Sequence, residues 1–455
     1  MLNNIFIKLE EFIPVKHRWI LGHEGFRRYF ANTGWLFLGQ IIFLGLSFFI
    51  GAWLARYLGP EKYGAVSYVV AFVGLFTFLS TLGVGGVLNR ELVKQPEKKN
   101  ELLGTGLRLH LWGGLVAFLV STIIALLIGS SFLTKLLIIM YSLHFLLQAP
   151  FVVSTYFYSQ VQAKQAIKAQ LIAALISSIL KIIFIILNGD IIWLVAIYTL
   201  DTLWQSLFLV YFYKRQGFKI KAWRFQASLA RSLWRDSWPL MLSSAAAFIY
   251  LRIDQVMVGR IMNEAAVGIY AAGVKLTEVF YFIPGVICGS LFPAIVNARK
   301  TNQAIYHSRL KKLYILLGVL GLLIATSVAL LSGPIINFVF GADYLPAIPV
   351  LQIYIWSSVG LFLGSVVGSQ LMAENRTKEI FFINFVAMIL NVALNLWLIQ
   401  KIGLIGAALA TLVAYSVGPL WMLLRGRRGK GEANGGREEI SDSEISAPIA
   451  SLEKV

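Results

Sequence analysis

Long apolar runs dominate this chain, and they leave few folds open to it. A bilayer core of about 30 Å is crossed by roughly 20 apolar residues in a helix, and twelve runs of that size lie near 33–55, 65–88, 107–129, 133–156, 169–187, 191–213, 237–258, 266–296, 313–332, 347–372, 380–399 and 403–424. Continuous runs of this length specify helices rather than barrel strands, which alternate in polarity. The chain is read as an all-α integral membrane protein of about twelve transmembrane helices. Only 14% of its 455 residues are charged, where a soluble domain carries about 25%. The least regular stretch is 332–349, where Gly333, Pro334, Gly341, Pro346 and Pro349 interrupt any single helix.

The net charge of +18 is laid out by loop. With twelve crossings the loops form two sets. Of the 40 Lys and Arg residues, Arg56, Lys62, Lys135, Arg260 and Lys401 fall in one set and Lys181, Arg252 and Lys275 fall inside runs; all the others belong to the second set and the two termini. Positive residues stay on the cytoplasmic side, so both termini are expected there. A nucleic-acid partner would need a basic face on a folded module, which this pattern does not offer. The expected divisions are a cytoplasmic segment 1–30, an N-lobe 31–213 of six crossings, a basic linker 214–236, a C-lobe 237–424 of six more, and a disordered tail 425–455 whose Arg425, Arg427, Arg428 and Lys430 face anionic headgroups or stop transfer. Lys8, Glu10, Lys16 and Arg18 interrupt the first thirty residues before a signal-peptide core forms. The single Cys288 forms no internal disulfide.

A shift of 204 residues lays the first two runs over the seventh and eighth: Arg56 falls on Arg260, Gly64 on Gly268 and Gly85 on Gly289. Two halves of like topology imply a pseudo-two-fold axis along the membrane normal. Such halves commonly enclose a cavity and rock against each other, which makes transport the leading function.

Charges inside the runs mark where that cavity is wet. A charge near the bilayer centre costs at least about 2.5 kcal/mol and normally faces protein or water. By helical rise, Arg252 and Asp254 stand roughly 21–24 Å into the seventh run, and Lys275 and Glu278 roughly 14–18 Å into the eighth; Lys181, Asp201 and His144 are close to the midplane. Arg252, Lys275 and Lys181 are the candidate ligands for an anionic substrate, and Asp254, Glu278 and Asp201 the candidate cavity or coupling carboxylates. Plainer readings stand beside these. Lys275 and Glu278 are three apart on one helical face and suit an internal ion pair. Arg252 and Asp254 lie on different faces, and either can snorkel. His144 suits packing better than proton relay. Pro239, Pro284 and Pro293, with Gly285 and Gly289, supply kink positions, and Gly83, Gly85 and Gly86 a flexible end to the second run. No phosphate-cradling GxxxxGK[ST] loop, HExxH or Cys/His cluster is present, so the chain is not read as an enzyme, an ATP-consuming pump or a metal protein.

Four stretches resemble a known family: NTGWLFLGQIIFLGLSFFIGAWLARYLGPEKYGAVSYVVAF from Asn32, YLRIDQVMVGRIMNEAAVGIYAAGVKLTEVFYFIPGVICGSLFPAIV from Tyr250, FGADYLPAIPVLQI from Phe340 and NVALNLWLIQKIGLIGAALATLVAY from Asn391. They are similar to the polysaccharide and lipid-linked oligosaccharide flippases of the MOP superfamily, in particular the Wzx-type O-antigen flippases. The resemblance implies a bacterial inner-membrane protein in two lobes that moves an undecaprenyl-pyrophosphate-linked oligosaccharide to the periplasmic leaflet by alternating access. A proton or sodium gradient would drive it, and no cofactor is needed. The polymerase and glycosyltransferases of the same polysaccharide are the implied partners, with membrane lipids. Asp254 matches the family's acidic position and Lys275 its lysine, whereas Lys181, Asp201 and His144 match no motif. The rival reading within the superfamily is a multidrug or metabolite cation antiporter, which Arg252 and Lys275 disfavour. A membrane glycosyltransferase or polymerase needs larger outer loops than these, and a channel needs a filter.

Overall fold

The computed structural model describes residues 24–435, and all regular structure among them is helical. Hydrocarbon offers the backbone no hydrogen-bond partners, so an apolar run must close its own bonds as a helix. In order these are α1 (Glu24–Gly74), α2 (Thr77–Thr81), α3 (Val84–Lys94), α4 (Lys99–Leu127), α5 (Phe132–Ser142), α6 (His144–Leu147), α7 (Val152–Ser159), α8 (Ala163–Ile186), α9 (Ile191–Arg215), α10 (Ala227–Ile261), α11 (Glu264–Glu278), α12 (Phe282–Thr301), α13 (Gln303–Leu330), α14 (Ser332–Phe340), α15 (Ile348–Tyr354), α16 (Ser357–Ala373), α17 (Thr377–Ile402) and α18 (Leu404–Gly435).

Eleven continuous stretches are long and apolar enough to cross a membrane, and the first contains two crossings. At Gly59 (φ 70°, ψ 172°) α1 folds back, a conformation open to a residue without Cβ, and Pro60 starts the second leg where its missing N–H costs nothing. The neighbours show the reversal. The first leg runs parallel to α8, with Gly39 against Ile167 at one end and Tyr57 bonded to Asn188 at the other. The second leg and α2 run antiparallel to α10, with Tyr68 against Gly259, Gly74 against Arg252 and, just past α2, Gly83 against Met241. Counting α1 twice restores twelve crossings.

The two loop sets are the two ends of the bundle. At the sparsely charged end, Tyr344 donates to the carbonyl of Ala55 (2.8 Å), Arg260 to that of Gly129 (3.3 Å), and Thr134 to Glu264 (3.1 Å). At the basic end, Arg90 pairs with Asp236 (2.7 Å), Gln216 with Gln162 (3.0 Å), and the Arg224 amide with the carbonyl of Asn100 (3.2 Å). Arg299 there donates to the carbonyl of Ala373, and Arg425 bonds Glu379.

Several expected boundaries move. α3 and α4 take in most of a stretch expected as loop, α10 starts at Ala227 inside the expected linker, and α18 continues to Gly435 through the start of the expected tail. Lys, Arg and Glu are good helix formers whose charged ends reach the interface, so a helix need not stop where the hydrocarbon does. The early part of segment 1–30 and the tail beyond 435 lie outside the described residues. Pro239 and Pro293 sit inside continuous helices, while the break between α11 and α12 falls just before Pro284, whose ring excludes the helical carbonyl of Phe280. The 332–349 stretch resolves into α14, a 3-10 segment Ala342–Ala347 and α15. Gly83 is no free hinge, because a Cβ there would meet the Met241 backbone at 2.8 Å.

The lobes join mainly at the sparse end. Val66, Val69 and Phe72 of α1 share one core with Val258, Val267, Tyr270 and Val274 of α10 and α11. The repeat-related glycines meet there: a Cβ on Gly64 would stand 1.7 Å from the Glu264 carbonyl and 2.7 Å from Gly268 N, and one on Gly268 would stand 1.9 Å from the Pro60 carbonyl and 3.1 Å from Gly64 N. Residues 204 apart thus touch across the axis that the repeat implies. At the basic end α10 spans the lobes, its Leu233 packing with Val84, Leu88 and Phe212.

Gly268→Val is expected to destabilise the protein by about 1–3 kcal/mol or more, since backbone on the facing helix cannot step aside. Gly85→Val, with open space at its Cβ, is the control. Thermal unfolding in detergent reads both, and equal melting temperatures would refute the junction's role.

Candidate functional site

The six charged residues singled out from the sequence divide into three sites. Lys181 on α8 and Asp201 on α9 form an ion pair of 3.1 Å, with Lys181 Nζ 4.1 Å from the centre of the Tyr198 ring. The other Asp201 oxygen is buried beside Ser177 without a formed hydrogen bond to it. This pair lines a cavity of about 360 Å³ in the N-lobe, together with Gln170, Gln205 and Thr202.

Lys275 enters the same cavity from the other lobe. Its Nζ packs so closely on the first leg of α1 that a Cβ at Gly51 would stand 1.8 Å away, and the ring of Tyr63 lies 5.9 Å off. Among the described residues Lys275 has no ion-pair partner. Its expected pairing with Glu278 is not formed, because Arg252 takes Glu278 at 3.1 Å. Glu278 ends α11, where the chain breaks toward α12, and there it faces α10. Arg252 therefore stands apart from the N-lobe cavity, paired with Glu278 and beside Gly74 at the lobe boundary. His144 stacks on Tyr141 and Phe145 with Nδ1 2.7 Å from the Tyr141 carbonyl, which is a packing role.

Asp254 is the third site and is separate from Glu278. It is 1% exposed. One carboxylate oxygen accepts from the Tyr270 hydroxyl (2.7 Å) and the Thr411 hydroxyl (3.3 Å), and the other from the Gln255 amide (2.7 Å). Asn391 donates to Thr411 (3.4 Å) and Asn395 to Asn391 (3.0 Å), both fully buried. The carbonyl oxygen of Asn395 has no partner. No ion pair neutralises Asp254 among the described residues, so the carboxyl sits in a buried, oxygen-rich cluster. Two asparagines four apart in an apolar run are legible in the sequence as one polar face; that this face meets Asp254 is not, because Tyr270 and Thr411 come from two other helices.

The polysaccharide biosynthesis protein model matches residues 29–299, and the model of lipid II flippase MurJ matches 176–450. The chain is 25% identical over 195 residues to the probable low-salt glycan biosynthesis flippase Agl15 of Haloferax volcanii, covering 41% of this chain and 40% of that protein. It is 26% identical over 336 residues to the succinoglycan biosynthesis transport protein ExoT of Rhizobium meliloti, covering 70% and 64%. The alignments thus span less than two thirds of either relative. An inward-facing multidrug resistance MATE family transporter of the MOP superfamily shares the fold, with a TM-score of 0.72 at 15% identity over 87% of this chain and 96% of that one. These descriptions name flippases and transport proteins rather than catalysts. With the family model matched over more than half its length, the chain belongs to the polysaccharide biosynthesis protein family.

Proposed function

We propose that this protein is a flippase for an anionic, polyprenyl-linked oligosaccharide, with an undecaprenyl-pyrophosphate-linked repeat unit of a surface polysaccharide as the substrate. Lys275 carries the reading. An unpaired ammonium inside an apolar slab is costly, and this one reaches across the lobe boundary into a cavity already holding Lys181 and Asp201. A pyrophosphate there gains two cations while its polyprenyl tail stays in lipid. It also engages both lobes at once, and that is how binding would bias their rocking. In this reading the basic end faces the cytoplasm, as the positive-inside rule favours, and the membrane is a bacterial inner membrane with both termini on its cytoplasmic side. Glycosyltransferases that build the repeat unit and a polymerase that extends it are the partners this assignment calls for.

Asp254 supports coupling to a cation gradient. A carboxylate so enclosed is stable when it carries a proton or holds a cation, and Thr411, Asn391 and Asn395 supply neutral oxygen-bearing groups around it, the kind of donor hard cations prefer. Exchange of that cation between the two faces would reset the C-lobe after each delivery. A multidrug antiporter is the second reading, favoured by the shared fold and opposed by the net positive N-lobe cavity, which repels cationic drugs.

Proteoliposomes loaded with an undecaprenyl-pyrophosphate-linked oligosaccharide test the first part. Lys275→Ala is expected to lower translocation about 10- to 100-fold, the loss of a charged hydrogen bond worth about 1.5–3 kcal/mol, with membrane insertion unchanged; undiminished transport would remove Lys275 from the site. Translocation of a cationic dye in place of the lipid would favour the antiporter.

An imposed proton or sodium gradient tests the second part. The unmodified protein should accelerate under one of them, and Asp254→Asn should retain lipid binding while losing that acceleration. Acceleration that survives the substitution would move coupling elsewhere.

A further inference from the structure

A second cavity, of about 350 Å³, lies in the C-lobe between α10, α12, α16, α17 and α18. Its place corresponds to that of the N-lobe cavity, since α10, α17 and α18 are the seventh, eleventh and twelfth crossings and the first leg of α1, α8 and α9 are the first, fifth and sixth. Its chemistry is different. Where the N-lobe cavity holds Lys181, Asp201 and Lys275, this one has no acidic or basic side chain among its lining residues.

Three tyrosines, Tyr250, Tyr281 and Tyr415, form one wall, with Tyr415 edge-on to Tyr250 at 5.4 Å between ring centres and tilted against Tyr281 at 6.0 Å. A further wall is the glycine face of α16, where Gly360, Gly364 and Gly368 recur every four residues and so line up, with Gly360 packed on the backbone of Tyr415. Positions 364 and 368 have open space where a Cβ would stand.

The polar groups point to a ligand independently of the glycines. Tyr415 is 7% exposed, and its hydroxyl stands near that of Tyr281 without a formed hydrogen bond. The Tyr250 hydroxyl and the Asn384 amide, which also line the cavity, have no hydrogen-bond partner among the described residues either. A polar group that a ligand covers and leaves unpaired costs about 1–3 kcal/mol. A polyprenyl chain would leave all three unpaired, and a second pyrophosphate would find no cation. A neutral carbohydrate answers both walls: its hydroxyls pair with the tyrosine hydroxyls and the amide, its C–H face lies on the electron-rich ring faces, and the glycine wall lets a bulky ring come close. The volume falls in the range of about 300–1,000 Å³ of small-ligand sites.

We propose that the C-lobe cavity is a binding site for the neutral sugar part of the substrate, so that the N-lobe reads the anionic linkage and the C-lobe reads the carbohydrate. This rests on the flippase reading above.

The test uses the full chain in phosphatidylcholine nanodiscs and two probes with the same tail: undecaprenyl pyrophosphate, bare or carrying a neutral disaccharide. The unmodified protein should bind the disaccharide probe about tenfold or more tightly than the bare one. Gly364→Leu, which fills the cavity without meeting backbone, should erase that advantage and spare the bare probe; Tyr415→Phe, which removes one hydroxyl and keeps the ring, should shrink it several-fold. Lys275→Ala should weaken both probes alike. Equal binding of the two probes by the unmodified protein overturns the sugar site alone. So does an advantage that survives Tyr415→Phe together with Gly364→Leu, and Tyr415→Phe decides by itself if the leucine variant does not fold. Binding of neither probe overturns the flippase reading and the sugar site with it.

Discussion

At the sparsely charged end two helix backbones touch with no side chain between them, and the rest of the molecule hangs from that junction. The Glu264 carbonyl fills the space where a Cβ of Gly64 would be, and the Pro60 carbonyl that of Gly268. Their approach lets the valines and aromatics of α1, α10 and α11 close into one core shared by both lobes. A junction of small residues between helices is the arrangement that lipid favours, because association there gains from close packing rather than from escape from water. The lobes are joined there, and at the basic end α10 crosses between them.

From this follows the placement of charge. Lys275 stands on α11, only two helical turns from Gly268 along the junction helix, so the junction carries its side chain against Gly51 and into the opposite lobe's cavity. Arg252 and Glu278 neutralise each other at the boundary. Asp254, on the far face of α10 from Arg252, is turned into the C-lobe interior, where Tyr270, Thr411 and two asparagines meet it. One repeat has thus been elaborated into an N-lobe cavity with strong charge and a C-lobe cavity with none, beside a single sealed carboxylate.

Much of this could be read from the sequence. The apolar runs specified helices, the distribution of Lys and Arg separated the two ends, and the register of 204 related Gly64 to Gly268, which the fold then brings together. The helix periodicity also held that Arg252 and Asp254 face different ways. The pairings were not legible. Lys275 and Glu278 have good local geometry for each other, yet a break at Val279 and an arginine on a neighbouring helix divert Glu278. Tyr250 and Tyr415 lie in the middle of their apolar runs and Asn384 near the start of its own, and no spacing between them marks one site.

The sequence by itself determined the solvent, the class of element, the number of crossings and the two-fold plan, because each depends on hydropathy, charge or period, quantities that add along the chain. Tertiary structure decided which charge meets which. An ion pair or a cavity wall depends on helix rotation and on contacts between residues more than a hundred positions apart, such as Asp254 with Thr411, and no local pattern encodes the angle at which two helices face each other.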